Sequence, residues 1–287
     1  MTIQWFPGHM TRARRQIEAK LGLIDLAIEL LDARLPLSSR NPMIGDILKD
    51  KPRLILLNKS DLADPEVTKR WIEYFREEGH LAIETDTPGG RGVKDISVYA
   101  KQLLKEKIDR QIAKGMNPRA IRGLIVGIPN VGKSTLINKL AGKSIAETGD
   151  RPGVTKGQQW IKIGKEMELL DTPGILWPKF DDQNVGMKLA VTGAIKEDVL
   201  NVEEVTFFAI KYCAEHYWER LSERYALGER PTVFDDPDEI VQIMEEIGRK
   251  RGCIMSGGRV DLTKASVLFL RDLRSGKMGR FSLEEPF

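Results

Sequence analysis

The sequence predicts an α/β domain with a mainly parallel sheet, followed by a smaller domain that is all helical. Short apolar runs alternate with amphipathic segments across residues 26–170, as expected for strands and helices packed in layers. After about residue 177 the strand-like runs largely disappear, and residues 199–224, 237–248 and 262–273 look helical instead. We therefore predict one domain at residues 1–178 and a second at 179–287.

Six short apolar runs are the predicted strands, and they lie at residues 26–31, 53–57, 81–83, 123–126, 160–163 and 167–170. Amphipathic segments at 66–78, 95–113 and 134–140 alternate with them, which favours parallel strands covered by helices on both faces. The last two runs flank a turn at Gly164 and Lys165 and are expected to pair as a hairpin. Residues 11–21 are predicted to be a short polar helix and residues 35–41 a loop.

The composition indicates a folded protein of a reducing compartment. Hydrophobic residues make up 41% and charged residues of mixed sign 30%, which excludes extensive disorder. The two cysteines, Cys213 and Cys253, are too few and too far apart for a zinc site or a disulfide framework. We find no signal peptide and no apolar stretch long enough to span a bilayer, so a cytoplasmic protein without a membrane partner is expected. The net charge of +3 leaves a nucleic-acid partner open.

The strongest chemical signal is a complete phosphate-binding loop at residues 127–134, which follows an apolar strand and opens a helix. Its backbone N–H groups would wrap a polyphosphate at the positive end of that helix. Lys133 would reach the β- and γ-phosphates, and the Ser134 hydroxyl would hold Mg²⁺. A chance glycine-rich turn is the alternative. The predicted nucleotide contacts of this segment are Asn130, Val131, Gly132, Lys133, Ser134 and Thr135.

Two later segments match the remaining phosphate-side features of a nucleotide switch. Asp171 follows a predicted strand and begins an Asp-x-x-Gly motif, so it would orient the Mg²⁺ shell while the Gly174 N–H touches the γ-phosphate. Alone, this motif is usually a turn. Residues 149–156 are rich in turn formers, and Thr155 within them is the candidate switch threonine that joins the Mg²⁺ shell.

A guanine-specificity motif occupies residues 58–61, directly after the predicted strand at 53–57. Its members are Asn58, Lys59, Ser60 and Asp61. The Asp61 carboxylate can accept from guanine N1–H and from the exocyclic amine, a donor pattern that adenine lacks. Asn58 could either bond the base edge or brace the loop, and the Lys59 stem could lie on the ring face. As an isolated tetrapeptide this would more often be a strand-end turn.

The order of these motifs resembles the circularly permuted GTPases. Ordinary GTPases have the phosphate-binding loop first, whereas here residues 58–61 precede residues 127–134. The resemblance implies that the last guanine-contacting loop falls at residues 84–87, where Thr85 and Asp86 are the candidate base contacts. This segment departs from the usual Ser-Ala pair of that loop.

Residues 5–10, 32–34 and 171–178 extend the likeness to the ribosome biogenesis GTPase A family (YlqF/YawG), whose resemblance covers nearly the whole chain. It implies a permuted G domain and a C-terminal helical domain that contacts rRNA. It also implies GTP and GDP as ligands and a precursor of the large ribosomal subunit, with its rRNA and ribosomal proteins, as partner. The expected function is GTP hydrolysis that drives a late step of 50S assembly and is stimulated by the ribosomal particle.

Two residues have a mechanistic role only through this resemblance. Ile175 stands where many GTPases have a water-orienting glutamine, and the resemblance assigns that role to His9 instead. A flexible terminal histidine is the alternative. In related GTPases an asparagine at the position of Asn130 accompanies a bound K⁺. The alternative is that Asn130 contributes only its backbone N–H.

Basic residues in the C-terminal region are candidates for RNA contact. Lys264, Arg271 and Arg274 would share one helix face, Lys277 and Arg280 continue it, and residues 249–251 add a cluster. A solvated helix face is the alternative, since many acids lie nearby. A second candidate surface is formed by Arg12, Arg14 and Arg15.

Three functions are therefore compared. The first is a GTPase switch, and the second is a GTP-gated RNA-binding module whose hydrolysis is incidental. The third, a GTPase acting on tRNA or at membranes, is disfavoured because the sequence carries no membrane segment and no further catalytic domain.

Overall fold

The computed structural model describes residues 8–145, 159–172, 174, 176, 180, 182–195, 200–231, 233–234 and 236–286, with the side chains of residues 8–13 outside that description. The chain divides into two compact units. The first comprises Met1–Asp181 together with Glu284–Phe287, and the second comprises Asp182–Leu283.

The first unit is built on a six-stranded sheet with the strand order β3-β2-β1-β4-β6-β5. Every neighbouring pair is parallel except the β5–β6 hairpin, which confirms both the mainly parallel sheet and the predicted pairing of the last two strands. The strands are β1 (Leu26–Asp32), β2 (Arg53–Asn58), β3 (Leu81–Thr85), β4 (Ile121–Gly127), β5 (Gln159–Ile163) and β6 (Met167–Asp171).

The carboxyl ends of the five parallel strands meet at one edge of this sheet, and each carries a residue predicted to be functional or adjoins one; β3 ends at Thr85, opposite Asn58. In the β1–β2 ladder Asp32 lies opposite Asn58, and β4 and β6 end at Gly127 and Asp171. Because β1 lies between β2 and β4, the guanine motif and the phosphate-binding loop flank the same strand. The permuted chain thereby assembles the site from two separated segments.

Seven helices surround the sheet among the described residues of the first unit. They are α1 (Gly8–Lys20), α2 (Pro36–Ser39), α3 (Pro42–Leu48), α4 (Pro65–Glu77), α5 (Ile96–Leu103), α6 (Lys105–Ala113) and α7 (Lys133–Ala141). The predicted loop at 35–41 was wrong in part, because Pro36 begins a helical turn there. The predicted helix at 95–113 is two helices, divided at Leu104.

Helix α4 shows how the local sequence gives both the element and its packing. The Asp64 side chain accepts hydrogen bonds from the Glu66 and Val67 N–H groups, and Pro65 occupies the first helical turn. Trp71 and Phe75 lie one turn apart and are fully buried against β1 and β2. Each such aromatic side chain contributes about 2–3 kcal/mol through burial.

The second unit contains five helices among its described residues: α8 (Gln183–Val191), α9 (Val202–His216), α10 (Trp218–Tyr225), α11 (Pro237–Lys250) and α12 (Leu262–Arg274). The all-helical prediction is confirmed, although the helix predicted at 199–224 is divided at Tyr217 and α8 was not predicted. In the described part of the chain, no helix combines the length and apolar character needed to cross a bilayer.

The last described residues return to the first unit. The Glu284 carboxylate accepts from the Ser38 N–H at 3.0 Å and from the Ser38 hydroxyl at 2.6 Å. The Trp71 indole donates to the Glu284 carbonyl at 3.2 Å, and Arg70 pairs with Glu285 at 2.9 Å. Residues 284–287 therefore group with the first unit and not with the helical one, and the division at 181/182 lies three residues beyond the boundary predicted from the sequence.

Candidate functional site

The phosphate-binding loop contains residues with positive φ angles, a conformation that glycine adopts without strain. Gly127 has φ 157° and Gly132 φ 106°, and Asn130 is a non-glycine residue in the left-handed region at φ 57°. A Cβ on Gly132 would lie 2.4 Å from the Asn58 amide nitrogen. Helix α7 begins at Lys133, so the loop lies at the positive end of a helix, as anion binding requires.

Lys133 is buried beneath this loop. Its ammonium donates to the Gly127 carbonyl at 3.0 Å and to the Ile128 carbonyl at 2.8 Å. Burial lowers its pKa to about 8, although the Asp171 carboxylate opposes that shift. The loop thus holds a cation in place with its own carbonyl oxygens.

Asp171 is fully buried at the end of β6, and burial raises its pKa to about 6 despite the nearby Lys133 ammonium. The Thr172 N–H faces this carboxylate, yet neither carboxylate oxygen makes a well-formed hydrogen bond with a described residue. Buried carboxylates are normally paired or bound to a metal. Two unsatisfied oxygens beside the phosphate-binding loop are the ligand type that Mg²⁺ prefers, so the residues fit such an ion.

Gly174 packs against the phosphate-binding loop. A Cβ at this position would lie 2.7 Å from the Pro129 nitrogen and 3.1 Å from the Lys133 ammonium. Two residues earlier, the Thr172 hydroxyl donates to the Ile125 carbonyl at 2.6 Å. The loop after β6 is therefore pinned to β4 close to where a terminal phosphate would lie, and only glycine fits its closest approach.

Asn58 braces the phosphate-binding loop, which is one of the two roles left open by the sequence. Its amide nitrogen donates to the Val131 carbonyl at 2.8 Å. Its amide oxygen accepts from the Thr85 hydroxyl at 3.1 Å and from the Thr87 hydroxyl at 2.7 Å. The Thr87 contact was missed by sequence reasoning, because nothing in the local pattern marks this residue.

Asp61 and Asp86 lie close together, and both are partly exposed. Burial and then the Asp86 carboxylate raise the pKa of Asp61. Thr85 is fully buried with its hydroxyl directed to Asn58, and Ser60 is buried with its N–H bonded to the Thr85 carbonyl at 3.1 Å. Asp61 and Asp86 are thus the acceptors of this cluster that solvent can reach.

Several predicted residues lie outside what the structure describes. The Thr155 segment and Ile175 belong to the residues left undescribed. His9 falls on α1, but its side chain is outside the description, as is that of Arg12. Among the described side chains of α1, Arg14 pairs with Glu18 at 2.9 Å and Arg15 is exposed.

The second unit retains only part of the predicted basic surface. Arg274 donates to the Ala190 and Val191 carbonyls, each at 2.9 Å, at the end of α8. The buried Asp272 accepts ion pairs from Arg251 and Lys277. Of the basic residues predicted for this surface, Lys250, Lys264, Arg271 and Arg280 are exposed and form no ion pair with a described acid.

Comparison with known proteins agrees with this geometry. A family model described as a 50S ribosome-binding GTPase matches residues 122–227, from the strand before the phosphate-binding loop into the helical unit. Ribosome biogenesis GTPase A of Bacillus cereus is 61% identical over 286 residues, which cover 100% of this chain and 95% of that protein. The chain belongs to the ribosome biogenesis GTPase A family. A more distant member, from Thermotoga maritima, is 35% identical and covers 99% of this chain and 95% of its own length.

Solved structures of the family share the fold. A GDP-bound structure of TM YlqF has a TM-score of 0.67 at 30% identity and covers 95% of this chain and 99% of its own. A GNP-bound YlqF from T. maritima has a TM-score of 0.65 at 30% identity, covering 96% and 98%. The predicted family, the permuted GTPase fold and the assignment as a GTP hydrolase are therefore confirmed.

Proposed function

We propose that this chain hydrolyses GTP to drive a late step of 50S subunit assembly in the cytoplasm, and that the ribosomal particle stimulates hydrolysis. One observation carries the proposal: similarity to ribosome biogenesis GTPase A spans the whole chain, including the helical unit. A nucleotide switch that shared only its G domain with these relatives would not justify the same partner.

The phosphate end of the site provides positive charge that stabilises the γ-phosphate during its transfer to water. Lys133 exchanges its loop carbonyls for the β- and γ-phosphates, and the Gly174 N–H contacts the γ-phosphate. Asp171, together with Ser134 and Thr155, would hold Mg²⁺, which when bound neutralises charge on the β- and γ-phosphates. We assign the backbone of Val131, Gly132 and Thr135 to phosphate contact, and Asn130 to a K⁺ ion.

The base end supplies specificity. Asp61 accepts from the guanine N1–H and exocyclic amine, and Asp86 lies beside it as a further acceptor. Asn58 acts through the phosphate-binding loop and not on the base, since all its described hydrogen bonds are to Val131, Thr85 and Thr87. Lys59 lies on the ring face.

Contact with rRNA is assigned to the helical unit. Lys264 and Arg271 are seven residues apart on α12 and exposed, and Lys250 and Arg280 are free to join them. Lysine and arginine bound to phosphates release counterions, so affinity for the particle should fall steeply with salt. Removing Lys264 and Arg271 together should reduce that salt dependence.

The test is steady-state GTP turnover of the full chain, alone and with large ribosomal subunits, for wild type, His9→Ala and His216→Ala. His216 is an exposed histidine of the helical unit and serves as the matched control. We expect strong stimulation in wild type and His216→Ala, and its loss in His9→Ala with GDP affinity unchanged. No stimulation in wild type would remove the ribosomal particle from the proposal. Stimulation that survives in His9→Ala would remove His9 alone.

The alternative is a GTP-gated RNA-binding module whose hydrolysis is incidental. It predicts that His9→Ala, with hydrolysis lost, still completes subunit assembly in cells. A switch predicts the opposite: the variant should remain on the particle and immature subunits should accumulate. Sedimentation profiles of ribosomal particles separate the two outcomes.

A further inference from the structure

The buried Asp32-Ala33-Arg34 segment was notable in the sequence but has no role in the function described so far. It begins at the last residue of β1, where Asp32 lies opposite Asn58 in the parallel ladder with β2. The Ala33 N–H donates to the Asn58 carbonyl at 2.8 Å, so the backbones of this segment and of the guanine motif are hydrogen-bonded. Both Asp32 and Arg34 are at least 98% buried.

Arg34 fixes the plane of the Asp32 carboxylate. Its Nε donates to Oδ1 at 2.9 Å, its Nη2 to Oδ2 at 2.7 Å, and its backbone N–H to Oδ1 at 3.1 Å. The Asp32 N–H in turn donates to the Ser39 hydroxyl at 3.0 Å. Such a two-pronged grip leaves the carboxylate almost no freedom to rotate.

The Lys59 ammonium lies 3.4 Å from Asp32 Oδ2. Lys59 is in the left-handed region at φ 60°, so its backbone also directs the side chain in an uncommon way. Burial alone would raise the pKa of Asp32, but the Arg34 and Lys59 cations together hold it well below its usual value. One carboxylate thus lies between the buried Arg34 guanidinium and the partly exposed Lys59 ammonium, which would otherwise repel each other.

We propose that Asp32 is a positioning residue for the guanine ring: its carboxylate anchors the Lys59 ammonium, so that the Lys59 stem forms the platform on which the base lies. Arg34 has no contact with the base in this arrangement and acts by orienting Asp32. This inference deepens the proposed function, since it rests on residues 58–61 binding guanine. It predicts a loss of affinity for any purine nucleotide, while discrimination at the base edge stays with Asp61.

The experiment is a double-mutant cycle on binding of a fluorescent GDP analogue, with wild type, Asp32→Asn, Lys59→Met and the double variant. Glu29→Gln is the matched control, because Glu29 is another buried carboxylate on β1 and pairs with Arg40 away from the guanine motif. We expect Asp32→Asn to weaken binding about tenfold, as for a lost charge-assisted hydrogen bond, and the double variant to bind no more weakly than Lys59→Met. Independent, multiplying effects would overturn the inference.

A second readout separates positioning from general damage. Inosine diphosphate lacks the exocyclic amine that Asp61 recognises, so the ratio of GDP to inosine diphosphate affinity reports on recognition of that amine at the base edge. Asp32→Asn should leave this ratio unchanged, and a collapse of the ratio would show that the whole loop has moved and contradict the proposal.

Arg34→Lys provides the test if Asp32→Asn unfolds. It keeps the charge but loses the two-pronged grip, and should weaken GDP binding about threefold, again without effect in the Lys59→Met background. If wild type bound adenosine diphosphate as tightly as GDP, the guanine site itself would fail, which is distinguishable from failure of the Asp32 inference.

Discussion

At the guanine end of the nucleotide site Asn58 and Asp32 each make several hydrogen bonds, whereas at the phosphate end the charged groups Asp171 and Lys133 face each other without bonding to each other. Asn58 uses both its amide nitrogen and its amide oxygen, and Asp32 receives three hydrogen bonds from Arg34. Among the described residues, Asp171 has no well-formed hydrogen bond and the Lys133 ammonium donates to two carbonyls.

The difference indicates that the guanine end is rigid, whereas the phosphate end is arranged to bind and release a cation and phosphates. The several hydrogen bonds made by Asn58 and by Asp32 favour a rigid surface for the base, since a rearrangement would leave buried polar groups unpaired. Burial raises the pKa of the Asp171 carboxylate and lowers the pKa of the Lys133 ammonium, so the charged form of each is disfavoured. A bound cation would stabilise the carboxylate, and bound phosphates would stabilise the ammonium. Substitutions at the guanine end should therefore affect stability and binding of the base, whereas those at the phosphate end should affect phosphate and metal binding, hydrolysis and their pH dependence.

Lys133→Ala should have the largest effect, and on chemistry rather than folding. Loss of the cation that reaches the phosphates should lower kcat/KM for GTP by about 100-fold or more. The unfolding free energy should change little, because a costly buried charge is removed along with its two hydrogen bonds. Lys139→Ala, an exposed lysine of the same helix, is the control. Turnover near that of wild type would contradict the assigned role.

Asn58→Ala should instead destabilise the protein. It removes three hydrogen bonds and leaves the Val131 carbonyl and two buried threonine hydroxyls without their partner, at a cost of roughly 2–3 kcal/mol. Urea unfolding of the nucleotide-free protein measures this cost. A variant as stable as wild type, but with weakened GDP binding, would assign Asn58 to the base edge after all.

Asp171→Asn should remove a pH dependence. With a folded pKa of about 6 against an ordinary value near 4, the folded chain binds more protons than the unfolded chain between those values. Stability of the nucleotide-free protein should therefore fall as pH rises through this window, by roughly 2–3 kcal/mol in total, since each pKa unit corresponds to about 1.4 kcal/mol. Unfolding at a series of pH values should show this slope in wild type and not in the variant. The same variant should lose the Mg²⁺ dependence of GTP binding.

Gly174→Ala should have the smallest effect of these four variants, on the activation free energy of hydrolysis. It is the most direct test of whether the guanine and phosphate ends act separately. The new Cβ must move the phosphate-binding loop at Pro129, so GTP hydrolysis should fall about tenfold, or ~1.4 kcal/mol. GDP affinity and stability should stay close to wild type, because the base end is not touched. An equal loss of GDP affinity would show that the two ends are not separable.

Much of this arrangement could be predicted from the sequence. Parallel strands bring their carboxyl ends to one edge, so motifs placed at strand ends must converge, and those at residues 58–61, 127–134 and 171–174 do. The strands themselves followed from apolar runs bounded by turn residues. Family membership likewise followed from the order and spelling of the motifs.

Other features depended on tertiary contacts that no local pattern records. Pro36 suggested a loop, yet it begins a helix, where a missing N–H costs nothing. Thr87 is far in sequence from Asn58, and Asp32 is far in sequence from Lys59. Arg274 and Lys277 do not contribute to the predicted basic face, because Arg274 bonds to the Val191 carbonyl and Lys277 pairs with Asp272. Helical spacing alone cannot reveal such tertiary contacts.

The return of Glu284 to Ser38 and Trp71 also has a consequence for synthesis of the chain. Residues 182–283 must leave the ribosome before Glu284 can form this contact. Until then the Ser38 N–H and the Trp71 indole lack the acceptor that Glu284 provides. Folding of the first unit during translation is thus completed only when the helical unit is already outside the tunnel. The protein acquires its finished G domain and its second unit almost at the same moment.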